Sequence, residues 1–190
     1  MDSRKIEARF GWDVYPGQYS TGLICGLLSG PTAVDCDARA IFCDRNGKPL
    51  AQHISYSTPS LFDGAAIHSG DNQAGDKEDD EIITLDLPNL PETVSSIILT
   101  LDLFKEKKPV KTGGFQSVFL RITDSMTKEE IARCDTTNLS SSCKLVVLGT
   151  LSRVDAGWAF RLAEKPYQVK DLDAFLRGLG ESQYDGAFIR

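Results

Sequence analysis

The 190-residue chain is expected to fold as an all-β (mainly β) protein with a short C-terminal helix. Three observations carry that expectation. Short runs rich in Val, Ile, Phe and Thr recur along the chain, turn residues separate them, and only one run, near the end, has helical spacing. Strands alternating with long helical patterns, the mark of a parallel βαβ fold, are not present. Strand count alone leaves both a sandwich and a barrel open.

The expected strands cover residues 6–14, 23–28, 33–43, 49–56, 81–87, 95–104, 115–124, 129–135, 144–154 and 157–163. Asn46-Gly47 and Asp155-Ala156-Gly157 supply residues that tolerate the left-handed backbone of tight hairpins, so two antiparallel hairpins are predicted there. Leu172, Phe175, Leu176 and Leu179 follow the i, i+3, i+4, i+7 spacing of a helix face, and Gly180 can end it. That stripe reads as core packing. No repeat of fixed period and no Pro/Gly-rich linker divides the chain, so one domain over residues 1–190 is expected.

Composition narrows the function classes. Apolar residues make up 41% and charged residues 25%, close to the globular average, which argues against a disordered or collagen-like chain. The longest apolar runs, such as Ser96 to Leu101, fall far short of the ~20 residues of a bilayer-crossing helix. The first residues, Met-Asp-Ser-Arg-Lys-Ile-Glu, carry no apolar stretch of signal-peptide length, and a cytoplasmic location is expected. Five cysteines (Cys25, Cys36, Cys43, Cys134 and Cys143) at scattered spacings, with no CxxC pair and two histidines, speak against zinc. They read as buried, reduced thiols.

The net charge of −6 is concentrated in one place. Between His68 and Glu81, six acidic residues face one Lys77, a local excess of five negative charges. A nucleic-acid binder would instead show a basic stripe for phosphates.

Two acidic segments therefore carry the candidate chemistry. In the first, Asp35 and Asp37 are two apart in a strand-like run, so both point to one face with Cα atoms about 7 Å apart. On its own, this pair is more often a solvated strand edge than a cation site. The second holds Asp71, Asn72, Asp76, Glu78, Asp79, Asp80 and Glu81, with Gly70 and Gly75 among them. Dense oxygen donors suit calcium, which takes six to eight oxygens, and the glycines let the backbone turn its carbonyls inward. An EF-hand starting at Asp71 would need Gly where Asp76 stands and Glu where Ile82 stands, so that geometry does not apply. Physics alone weighs a calcium loop and a solvated acidic loop about evenly. His68 beside Ser69 and Asp71 invites a triad reading, yet there is no Gly-x-Ser-x-Gly elbow, and a turn-stabilising role is expected instead. His53 reads as structural or as a surface residue. Lys111 to Gly114 lacks the spacing of a phosphate loop and, like the lysines of 105–111, reads as part of a hairpin tip.

Four linked motifs then appear in order: Gly11-Trp12-Asp13, Asp35-Cys36-Asp37-Ala38, His68-Ser69-Gly70-Asp71-Asn72 and Asp79-Asp80-Glu81. Phe119-Leu120-Arg121-Ile122, Ala132-Arg133-Cys134-Asp135 and Gly157-Trp158-Ala159-Phe160-Arg161 follow them. In this set the chain resembles the TerD family of tellurite-resistance and stress proteins over roughly residues 10–180. The resemblance implies a β-sandwich of two antiparallel sheets that binds calcium (Ca2+), two ions in the family pattern. It nominates Asp35, Asp37, Asp71, Asn72, Asp79, Asp80 and Glu81 as ligands, with Asp76 and Glu78 as loop candidates. The acidic loop is about one residue short of the family pattern and carries Lys77, so one of the two ion sites is expected to be weakened or lost.

The function expected on this basis is a non-enzymatic, calcium-binding stress-response protein acting through ion-dependent folding and partner binding. Protein partners, TerD-family relatives among them, are expected, and self-association through unpaired strand edges is open. Two further classes stay in view: an interaction module of the same fold that has lost its metal, and a metal-dependent phosphoester hydrolase.

Overall fold

The computed structural model describes residues 4–14, 36–72, 79–103, 115–137, 139, 143–155, 157–169 and 172–179. The strands are β1 (Lys5–Val14), β2 (Cys36–Cys43), β3 (Pro49–Ile54), β4 (Ser60–Leu61), β5 (Ala66–His68), β6 (Glu81–Asp86), β7 (Ser96–Leu103), β8 (Phe115–Asp124), β9 (Glu130–Thr137), β10 (Leu145–Val154) and β11 (Gly157–Val169). One helix, α1 (Leu172–Gly178), follows. The strands form a six-stranded sheet in the order β4-β5-β6-β1-β8-β9 and a five-stranded sheet in the order β11-β10-β7-β2-β3. Every pairing is antiparallel. The fold is thus a two-sheet sandwich, and the barrel alternative falls.

Period-two alternation builds the core. In β1, Ile6, Ala8, Phe10 and Trp12 point inward, and Ile83 and Leu85 of β6 with Val118, Leu120 and Ile122 of β8 extend that inner face. The opposing sheet contributes Ala38, Ala40 and Phe42 from β2, Leu99 and Leu101 from β7, and Val146, Leu148 and Leu151 from β10. β2 and β7 are buried along both faces. On the outer face, Phe175 of α1 and Leu179 just after it pack against Ile41, Cys43, Ile98, Leu145 and Val147.

Both predicted hairpins form. Between β2 and β3, Gly47 has φ +74° and donates its N–H to the Asp44 carbonyl at 3.0 Å. The Asp44 carboxylate accepts the N–H groups of Asn46 and Lys48 at 2.8 and 2.9 Å. Between β10 and β11, Val154 pairs with Gly157, whose φ is +121°. Strand β11 runs six residues past its expected end, to Val169. The short β4 and β5 were not expected, because two or three residues cannot display a period. The expected strand over 23–28, Cys25, the 105–114 segment and Gly180 lie outside the described residues. Cys36, Cys43, Cys134 and Cys143 are buried.

Candidate metal centre

The candidate centre lies where the two sheets are tied together at β2 and β6. The next strand, β3, pairs with β2 only from Ala40 onward, so the Ala38 N–H needs another partner. It donates to Glu81 Oε2 at 2.6 Å. Glu81 opens β6 on the opposite sheet and is fully buried, and its Oε1 accepts the Asn72 N–H at 3.2 Å. One carboxylate thereby joins both sheets and the acidic segment.

Asp37 precedes Ala38, and Asp71 precedes Asn72. One carboxylate oxygen from each of Asp37, Asp71 and Glu81 lies within 4.8 Å of the other two. Asp37 and Glu81 are buried, while Asp71 is exposed and closes the cluster on the solvent side. Two full charges about 5 Å apart repel by roughly 3 kcal/mol even at an effective dielectric of about 20. An all-oxygen set of this kind fits a hard cation such as calcium or magnesium rather than zinc.

His68 completes the inner wall. Its Nδ1 accepts the Gly70 N–H at 3.1 Å, which fixes the turn and leaves the neutral ring's proton on Nε2. That Nε2 is buried 3.3 Å from Glu81 Oε2 without an aligned hydrogen bond, so His68 presents a proton to the cluster, not a lone pair. Gly70 has φ +105°, a left-handed backbone suited to glycine. The expected turn-stabilising role of His68 is met.

The three consecutive acids Asp79, Asp80 and Glu81 go three different ways. Glu81 turns to the cluster. Asp80 Oδ2 accepts the Trp12 N–H at 3.1 Å, and its Oδ1 accepts Asn72 Nδ2 at 3.0 Å. Asp79 turns to the outer face of the six-stranded sheet. There Arg121 Nε donates to Oδ1 and Arg9 Nη1 to Oδ2, each at 2.6 Å, and Arg121 Nη2 also binds Oδ2. Burial raises the Asp79 pKa, but the bonds and charges of Arg121 and Arg9 outweigh it and hold the carboxyl below its usual range. The structure therefore brings Asp37, Asp71 and Glu81 together, sets Asn72 and Asp80 beside them as hydrogen-bonding neighbours, and places Asp79 in an arginine clamp. Asp35, Asp76 and Glu78 lie outside the described residues.

Two neighbours were not singled out from the sequence. Asp102 of β7 stands directly opposite Asp37 in the strand ladder and is held by Arg39, whose Nε donates to Oδ2 at 3.2 Å. Burial pushes the Asp102 pKa up, Arg39 pulls it down and the Glu81 charge pushes it up again, with a net rise. Arg39 also contacts His53 Nε2, and burial together with that guanidinium lowers the His53 pKa. A lone Asp and a lone Arg inside apolar strands were the available signal, since buried charges need partners. Cys43 offers no reactive thiol here. Burial, slightly offset by a bond to Ser96, pushes its pKa up to about 12.

Fold and site define a class: an antiparallel β-sandwich with a carboxylate cluster where its sheets are tied. A family model for the TerD domain matches residues 2–178, and the chain belongs to the TerD family. It is similar to the tellurium resistance protein TerZ of Serratia marcescens, 31% identical over 151 residues, covering 79% of this chain and 74% of that protein. It is also similar to general stress protein 16U of Bacillus subtilis (strain 168), 26% identical over 168 residues, covering 86% and 81% of the two chains. Among solved structures, a Streptomyces coelicolor A3(2) homologue of telluride resistance protein (TerD) superposes with a TM-score of 0.63 at 15% identity, covering 91% of this chain and 95% of that one. A protein of unknown function, SAV2460, superposes with a TM-score of 0.67 at 21% identity, covering 95% and 98%. Both likenesses concern the fold. No helix among the described residues is long and apolar enough to cross a membrane.

Proposed function

We propose that the chain is a calcium-binding stress-response protein of the tellurite-resistance type, non-enzymatic, acting in the cytoplasm through ion-dependent folding and protein partners. The observation that carries this reading is the convergence within 4.8 Å of Asp37 from one acidic segment with Asp71 and Glu81 from the two ends of the other. Like charges gathered this closely oppose folding, and a divalent cation removes that opposition. The kinship to tellurium resistance and general stress proteins supplies the cellular context.

The test is a calorimetric calcium titration of chelator-stripped protein, repeated on Asp37→Asn and Asp71→Asn. Saturable binding in the parent that weakens in both variants is expected, by tenfold or more. A parent chain that takes up no calcium would overturn the reading. It would favour the second one, an interaction module of the same fold without metal. The observation behind that alternative is the arginine clamp, which already neutralises Asp79 within the acidic segment.

A further inference from the structure

The outer face of the six-stranded sheet carries an arrangement that strand pairing alone disfavours. Arg9 of β1 stands directly opposite Arg121 of β8, and Arg121 directly opposite Arg133 of β9. Like charges opposed across a ladder repel. Each is offset: Arg133 by Asp135 at 2.8 Å, Arg9 by Glu7 at 2.5 Å, and Arg9 and Arg121 jointly by Asp79. Asp79 is the only one of these carboxylates that comes from the acidic segment. Its side chain is 9% exposed, and both its oxygens are engaged by the two guanidiniums. Immediately after it, the Asp80 N–H donates to the Phe10 carbonyl at 2.8 Å and Glu81 pairs with Phe10 in the ladder.

We propose that Asp79 is a positioning residue: clamped by Arg9 and Arg121, it fixes the end of the acidic segment on the sheet so that Glu81 is aimed at Asp37 and Asp71. The inference rests on the cation-binding reading of that cluster. It has a consequence opposite in sign to simple electrostatics. Removing a positive charge near a cation site ordinarily strengthens cation binding. Here, removing Arg9 or Arg121 releases Asp79, lets Glu81 drift from its partners and weakens binding. Groups that orient a ligand without touching the metal typically account for about 10- to 100-fold of affinity.

Two measurements on Asp79→Asn, Arg121→Gln and the double variant decide the matter, each variant first shown folded by circular dichroism. In calcium titrations, both single variants should lose about tenfold in affinity, and the double variant little more than either alone. In chelator, hydrogen exchange at the Asp80 and Asn72 amides should quicken in both variants, while the core amides of Leu120 and Val146 keep their protection. Affinity that rises in Arg121→Gln and falls in Asp79→Asn would make Asp79 a direct ligand and overturn the proposal. Unchanged exchange at Asp80 and Asn72 would overturn it as well. If the parent binds no calcium, the exchange measurement still decides whether the clamp positions the segment, so the two readings fail separately.

Discussion

At the scale of single residues, position in the chain and direction of the side chain carry different information. Asp79, Asp80 and Glu81 are adjacent acids, yet one is clamped by arginines, one caps a backbone N–H of β1 and one joins the candidate centre. Asp124 shows the same economy of placement at the turn after β8. Its Oδ1 accepts the N–H groups of Met126 and Thr127 at 2.8 and 2.9 Å, and its Oδ2 accepts from Arg4 at 3.1 Å. Chiefly through those backbone bonds, its pKa falls from 3.8 to about 2. A carboxyl whose folded pKa is depressed contributes stability above its unfolded pKa and loses it as pH falls through the folded value. Asp124→Asn keeps the Oδ1 acceptor and removes the charge. The difference in Tm between parent and variant should therefore be full above pH 4, shrink between pH 4 and 2, and close below about 2. A difference that stays constant across that range would show that the carboxylate charge is irrelevant to the turn.

At the scale of elements, the β10 irregularity shows how one missing side chain shapes a strand. The register of β10 shifts between Val147 and Gly149 against both of its neighbours. A Cβ at position 149 would lie 2.9 Å from Phe160 Cζ and 3.2 Å from the Arg161 carbonyl oxygen. The ring can swing, but the carbonyl belongs to the paired strand and cannot move without breaking the ladder. Gly149→Ala should therefore destabilise the protein by about 1–3 kcal/mol, as overpacking usually does. At roughly 2–4 °C per kcal/mol for a chain of this size, thermal denaturation would register several degrees. An unmoved Tm would mean that Phe160 adapts and that the register shift has another origin. The adjoining β11 strand contributes a second device, with Trp158 fully buried and the Arg153 guanidinium 4.7 Å from the centre of its ring.

At the scale of the whole molecule, the candidate centre links the sheets. Glu81 belongs to the six-stranded sheet, Ala38 and Asp37 to the five-stranded one, and Asp71 to the segment between β5 and β6. An ion held there binds the folded chain and not the unfolded one, so it should stabilise the entire fold by about 2.7 kcal/mol at a hundred times its dissociation constant. That corresponds to roughly 5–10 °C in Tm. Melting curves of the parent protein in calcium and in excess chelator check this, and coincident curves would contradict it.

What the sequence determined by itself was most of the strands, the two hairpins and which side chains share a face within a strand. Period two, turn residues such as Asn46-Gly47 and a single helical stripe are local properties, and local spacing sets which side chains share a face. The acidic segments were legible as a concentration of oxygen donors, and the motif set pointed to the family. What only the tertiary structure decided was which acids meet. Asp37 and Glu81 come together because β2 and β6 lie in different sheets bridged by one hydrogen bond. Asp102 enters beside them because β7 runs antiparallel to β2 in one particular register. Asp79 is withdrawn because two arginines, 112 positions apart in sequence, stand opposite each other across a ladder. Like-charge repulsion and its relief depend on distances through space, and the spacing of residues along the chain does not contain them.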